Sequence, residues 1–183
     1  MNRFVLLLAF VCSGCVTAKL YDRKYEPVGA KGYEYSDQDI DFKYVPVTAD
    51  SSIAINLKNK SSKTIKVIWD EVTLIGSEGQ VERVFHEGIK IADRAQPMAP
   101  SIVPAGSTLT DSVTPISKVD WVYNGWSYYP ICGVKDIMTW EIDEVACLGK
   151  TFGLYFSYEI DGKKKNFTVS FRYLSKNEHP QKK

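Results

Sequence analysis

Two alternating apolar runs lie between residues 53 and 74, separated by a polar hinge at 58–63. A period of two places every second side chain on one face, which is the pattern of a half-buried β-strand. The phase slips by one after Trp69, and one extra residue in a strand, a β-bulge, restores the inward face. The inward positions are Ile53, Ile55 and Leu57, then Ile65, Val67 and Trp69, followed after the slip by Val72 and Leu74.

A longer alternation occupies the C-terminal region, in two halves around Asp161-Gly162. An Asp-Gly pair between alternating runs favours a two-residue hairpin turn. A hairpin with one aromatic face of this length needs another layer to lie against. Its apolar positions are Phe152, Leu154, Phe156, Tyr158 and Ile160, then Phe167, Val169, Phe171 and Tyr173.

Strand patterns with turn signals between them recur along the chain without strand-helix-strand alternation. We therefore predict an all-β fold, an antiparallel immunoglobulin-like β-sandwich with a long proline-containing crossover and one short helix. A chain of 183 residues with 44% hydrophobic content is long enough for one well-buried core. We expect one domain over 41–174 and a disordered tail over 175–183. The predicted inner faces carry Ile53, Ile55, Leu57, Val67, Phe156 and Phe171.

Charge and side-chain spacing exclude several classes of function. The formal net charge is +1, so no basic face for nucleic acid is predicted. The histidines are His86 and His179, and no Cys or His pair has metal-ligand spacing. No paired carboxylates or triad can be identified by spacing, so we expect neither an enzyme nor a cofactor.

The first residues read as an export signal. A polar start precedes the apolar run 4–11, which is too short to span a bilayer as a helix. Its end, Ser13-Gly14-Cys15, resembles the lipobox of bacterial lipoproteins, which implies a signal peptide over 1–14 and acyl chains, including palmitate, on Cys15. The alternative is ordinary cleavage after Ala18, which gives a soluble secreted protein.

Residues 15–40 are polar, with scattered tyrosines and no period. We predict a flexible tether there. The alternative is a tyrosine-bearing arm that docks on a partner or on the domain itself. A weak strand follows over 41–47, and Pro46 assigns it to a sheet edge.

Residues 86–106 form the longest stretch without a clean period, which in a compact domain indicates a functional or structured connection. A catalytic interpretation makes His86 a base oriented by Asp93, but no nucleophile is identified. The structural interpretation, which we favour, is that Arg94 holds the crossover on the sheet by pairing with Asp70, Glu71 or Asp93.

Five aromatic residues fall within nine positions around Asn124-Gly125, which is a strong signal for a hairpin turn. Tryptophan and tyrosine combine large contact area with a polar tip, as binding hot spots require. The hairpin is a candidate surface for a glycan, a peptide or an envelope protein. The alternative is that it packs on the core and caps the neighbouring loop. The candidate residues are Trp121, Tyr123, Trp126, Tyr128 and Tyr129.

Cys132 and Cys147 are fifteen residues apart, and in an exported protein they predict one disulfide; the alternative is two buried thiols. Loosely spaced apolar residues over 133–150 predict a short amphipathic helix inside that loop.

Several short segments between residues 50 and 174 occur in combination: Leu57-Lys58-Asn59-Lys60-Ser61, Ile68-Trp69-Asp70-Glu71, His86 with Gly88, Asp93-Arg94, and Ile102-Val103-Pro104-Ala105-Gly106-Ser107. This combination resembles a group of uncharacterised bacterial envelope lipoproteins with a single immunoglobulin-like domain. The resemblance implies a fold and a periplasm-facing address but no agreed activity. Val16 follows the cysteine where enteric lipoproteins of the inner membrane have aspartate, which favours the outer membrane. We expect a lipid-anchored, non-catalytic binding or structural module; the alternatives are a soluble secreted protein of the same fold and a hydrolase.

Overall fold

The structure, a computed structural model, describes residues 25–29, 32–47, 51–122, 124–132 and 147–174. Within these ranges the chain forms thirteen strands and three short 3-10 helices, Trp69–Glu71, Ile91–Asp93 and Ile116–Lys118. The strands are β1 Tyr25–Val28, β2 Glu34–Ser36, β3 Ile40–Val47, β4 Ser52–Asn59, β5 Ile65–Val67, β6 Thr73–Ile75, β7 Val81–His86, β8 Ser101–Val103, β9 Thr108–Pro115, β10 Val119–Val122, β11 Gly125–Tyr128, β12 Thr151–Ile160 and β13 Lys163–Tyr173.

Eleven of the strands form one sheet that curls until two parts of it face each other. The order is β1-β13-β12-β6-β7-β9-β4-β3-β2, while β5 pairs with β12 and β8, and every pairing is antiparallel. The ring of Phe42 in β3 lies 4.8 Å from that of Phe156 in β12 and 5.0 Å from that of Phe167 in β13. The predicted all-β, sandwich-like fold is confirmed, with both layers supplied by the curled sheet.

The alternating runs form the core as predicted. The six predicted inner-face residues are at most 2% exposed, namely Ile53, Ile55, Leu57, Val67, Phe156 and Phe171. The C-terminal hairpin turns at Asp161 and Gly162, whose φ angles of 53° and 70° are the left-handed values that a type I′ turn requires. Ile160 and Lys163 pair directly across this turn.

The predicted β-bulge after Trp69 is wrong. β5 ends opposite Tyr158 and β6 begins opposite Tyr155, so residues 68–72 lie opposite only two residues of β12. The additional residues on this side form the first 3-10 helix, which buries Trp69 and is followed by the buried Val72. A bulge adds only one residue, which is too little chain to place both Trp69 and Val72 in the core. A helical turn therefore forms here instead of a bulge.

The predicted tether over 15–40 is wrong in its second half. β1 pairs with β13 from Tyr25, which lies opposite Tyr173. β2 pairs with β3, and the ring of Tyr35 stacks on that of Phe167 at a centroid distance of 4.0 Å. The alternative, an arm that docks on its own domain, therefore holds for the described part of this segment. Strands of four and three residues are too short to show a period in the sequence.

Pro46 lies in β3, which is not an edge strand along its whole length. The first half of β3 pairs with β2 as well as with β4, whereas Pro46 pairs only with Ile53 of β4. The proline thus lies in the part of β3 that extends past β2. No described strand pairs with β3 on that side there, so the N–H that proline lacks is not needed for a hydrogen bond.

The disulfide between Cys132 and Cys147 is confirmed, with an S–S distance of 2.03 Å and a Cα–Cα distance of 5.7 Å. It connects the segment after β11 to the segment before β12. Most of the predicted helix over 133–150 lies outside the described residues. The predicted signal peptide with Cys15, and the tail over 175–183, also lie outside them.

The crossover between β7 and β8 is held on the sheet by a residue that the sequence did not indicate. Arg83 of β7 pairs with Asp70 at 2.5 Å and donates a hydrogen bond to the carbonyl of Ala95 at 2.6 Å. The amide of Met98 also donates to Asp70, at 3.1 Å. The prediction that Arg94 pairs with Asp70, Glu71 or Asp93 is wrong, since Arg83 pairs with Asp70, Lys164 pairs with Glu71, and Arg94 forms no ion pair with a described carboxylate.

Candidate functional site

The aromatic hairpin is a separate two-stranded ribbon formed by β10 and β11. Trp121 pairs directly with Trp126, and their rings meet edge to face at a centroid distance of 5.2 Å. Val122 pairs with Gly125, so Gly125 belongs to β11, and the prediction that it forms the turn with Asn124 is wrong. The hairpin itself is confirmed.

One face of this ribbon carries three of the five candidate aromatics. Residues that pair directly, or that lie two apart on one strand, share a face. By this rule Trp121, Trp126 and Tyr128 lie together, and they are 55%, 37% and 42% exposed. Tyr129 follows the strand and donates its amide hydrogen to the carbonyl of Lys118. Tyr123 lies outside the described residues. We call the first three residues the aromatic face.

A half-open cleft of about 430 Å³ lies between the sheet and the crossover, with Tyr128 in its wall. Ligand pockets commonly have volumes of roughly 300 to 1,000 Å³. Three hydroxyl side chains contribute to the lining, those of Ser52, Ser112 and Thr114. None of them forms a hydrogen bond with another described residue. The remaining lining residues are Phe85, His86, Glu87, Gly88, Ile89 and Ile91.

Arg94 connects the crossover to the aromatic face. Its Cζ lies 5.1 Å from the centroid of the Trp126 ring, within the range of a cation-π contact. Its Nη1 donates to the carbonyl of Ile91, a residue of the cleft lining, at 2.9 Å. The guanidinium therefore lies between the cleft and the hairpin.

The catalytic interpretation of His86 with Asp93 is wrong in its geometry. Nδ1 of His86 lies 3.1 Å from Oδ2 of Asp111, and the imidazole stacks on the indole of Trp69 at 4.3 Å. The amide of Glu87 donates to the other carboxylate oxygen of Asp111 at 2.9 Å. These contacts tie the start of the crossover to β9.

A polar cluster around Asp37 fixes the turn between β2 and β3. Burial alone would raise the pKa of Asp37, yet hydrogen bonds from the amides of Ile40 and Asp39 and from the Tyr158 hydroxyl hold that pKa below its usual value. Burial, followed by the hydrogen bond to Asp37, raises the pKa of Tyr158 well above its usual value. The cluster is bonded internally, so we assign it to the fold and not to the site.

Neither a membrane span nor a metal cluster is found in the described residues. No helix there is long and apolar enough to cross a bilayer. No group of three or more His, Cys, Asp or Glu side chains in those ranges is placed to hold a metal ion.

The chain matches no known protein-family model, and no similar protein was found among those of curated function. Arguments about function therefore rest on the geometry of the site and on the chemistry of its residues.

The cleft and the position of Arg94 could not be assigned to a site from the sequence. Both depend on how an aperiodic crossover packs against a distant hairpin. The one available signal was the length of the stretch 86–106, since long connections in compact domains are often functional.

Proposed function

We propose that this protein is a non-catalytic binding module, anchored to the outer membrane through acyl chains on Cys15 and facing the periplasm. The observation that carries the binding part is the aromatic face, whose rings are 37–55% exposed on a ribbon that pairs with no strand of the curled sheet. Rigid aromatic rings provide contact area at a low entropy cost.

The cleft beside this face adds depth to the surface. Its lining combines apolar side chains with three unused hydroxyl groups, which is the composition of small-ligand sites. A ligand that spans the cleft and the aromatic face thus finds both apolar contact and hydrogen-bonding groups. The partner classes that fit are a peptide, a glycan or a segment of another envelope protein.

The anchoring part rests on the sequence around Cys15 and on the length of chain that follows it. Residues 16–24 separate this cysteine from β1. Nine residues reach at most about 30 Å when fully extended. Acylation would therefore hold the sandwich close to the membrane surface, and several acyl chains make such anchoring durable.

Binding is tested by measuring retention of the mature protein on immobilised envelope peptides and glycans. We expect Trp126→Ala to weaken retention at least tenfold, because it removes an anchor of the surface. Val81→Ala is the matched control, since Val81 is 68% exposed on β7 and lies outside the cleft lining. Equal retention of both variants, with both folded, would contradict the binding proposal.

Anchoring is tested by mass spectrometry of the mature N-terminus in the producing cell. We expect a chain that begins at an acylated Cys15, and a Cys15→Ser variant that remains uncleaved. A mature chain that begins at Lys19 without lipid would instead identify the soluble secreted form.

A further inference from the structure

Arg94 carries a buried hydrogen-bond donor that is not used. Its Nε is shielded from water and has no hydrogen-bond partner among the described residues, and no carboxylate there forms an ion pair with the guanidinium. A buried unpaired donor costs free energy comparable with that of a lost hydrogen bond, so each one in a native structure requires an explanation. A ligand that supplies the missing acceptor is one such explanation.

The unused donors of Arg94 fit a carboxylate. Nη1 is engaged by the carbonyl of Ile91, which leaves the edge formed by Nε and Nη2. That edge presents two parallel N–H groups, and a carboxylate accepts both in a bidentate pair. Trp126 lies against the guanidinium and Nε is shielded, so a carboxylate reaches this edge only when the side chains around Arg94 rearrange.

The cleft next to Arg94 fits the body of a short peptide. Apolar walls from Phe85, Ile89 and Ile91 accept an apolar side chain. The hydroxyls of Ser52 and Thr114 offer donors and acceptors that match the N–H and C=O groups of a peptide backbone. An apolar wall beside hydroxyl groups that match a peptide backbone fits a peptide that ends in an apolar residue.

We infer that the cleft binds a short peptide by its free C-terminal carboxylate, with Arg94 as the anchoring residue and the apolar last side chain in the cleft. This inference rests on the proposed binding function and names its ligand class.

The experiment is calorimetric titration of the mature protein with N-acetylated dipeptides that end in an apolar residue, supplied as free acids and as C-terminal amides. We expect the acids to bind at least tenfold more tightly than the amides, because only the acid provides a charged bidentate acceptor. Arg94→Gln should remove this difference, and Arg94→Lys should restore part of it. Lys90→Gln is the matched control, since it removes an exposed positive charge from the same crossover.

Equal affinity for acids and amides would overturn the carboxylate assignment. An equal effect of Arg94→Gln and Lys90→Gln would overturn the role of Arg94. Tighter binding of a uronate disaccharide than of the peptide acids would overturn the peptide assignment. If no dipeptide binds, the inference fails. If Trp126→Ala nevertheless weakens retention on envelope material, the proposed binding function is still supported without it. The comparison of acid with amide on the unaltered protein remains decisive if an Arg94 variant fails to fold.

Discussion

Two antiparallel hairpins of this protein carry aromatic side chains on one face, and their environments are opposite. In the hairpin β12–β13, Phe156 and Phe171 are fully buried, and a facing layer that includes Phe42 lies against them. In the hairpin β10–β11, Trp121 and Trp126 are 55% and 37% exposed, their rings meet each other, and Arg94 lies against Trp126. The local pattern is thus the same, but within the described ranges only the first hairpin has an opposing layer. Aromatic alternation indicates a ribbon, whereas burial depends on what the rest of the chain places against it.

The largest expected effect comes from truncating the buried ribbon. Phe156→Ala should lower the free energy of unfolding by about 3–5 kcal/mol, since it removes a buried ring and leaves a cavity. For a domain of this size the melting temperature should fall by about 10 °C. Chemical denaturation measures the change. A loss below about 1 kcal/mol would show that the two layers do not pack as described.

Replacing both Cys132 and Cys147 with serine tests the covalent connection between the two hairpins. We expect a loss of about 3 kcal/mol, because the fifteen-residue loop regains its freedom in the unfolded chain. Denaturation under oxidising conditions measures this effect. Addition of a reductant should lower the stability of the unaltered protein by a similar amount and leave the double variant unchanged.

Asp37→Asn tests the polar turn that supports the buried side of the sandwich. The pKa of Asp37 is lowered in the folded protein, so its stabilising effect is present above the unfolded pKa of about 4 and is lost as the pH falls through the lower, folded pKa. We expect the variant to be less stable at pH 7 by about 1 kcal/mol or less. The difference should shrink as the pH falls below about 4. Unfolding curves of both proteins from pH 7 to pH 2 measure this difference in stability. A difference that grows toward low pH would contradict the lowered pKa of Asp37 in the folded protein.

Trp121→Ala should have the smallest effect on stability. More than half of this side chain is exposed, so we expect a loss of about 1 kcal/mol or less. Chemical denaturation of the Trp121→Ala and Phe156→Ala variants under the same conditions compares the two losses of stability. A loss as large as that of Phe156→Ala would mean that the aromatic face belongs to the core.

Much of the sandwich could be predicted from the sequence, because long strands such as β4, β12 and β13 display their period over eight or more residues. β1 and β2 were missed because they contain only four and three residues. The hairpin β10–β11 was predicted from its aromatic pairs, but Gly125, which was assigned to the turn, lies in β11. The crossover carried no period, so the pairing of Arg83 with Asp70 and the place of Arg94 beside Trp126 depend on tertiary contacts that no local pattern encodes.

Hydrogen exchange of the mature protein, with and without the envelope fraction that retains it, tests the contrast between the two hairpins most directly. Amides of a ribbon outside the main sheet open at low free-energy cost, whereas amides of core strands open only with global unfolding. We predict faster exchange in β10–β11 than in β12–β13, and slower exchange in β10–β11 alone once the envelope fraction is added. Protection of β10–β11 equal to that of β12–β13, and unchanged by the envelope fraction, would contradict the account.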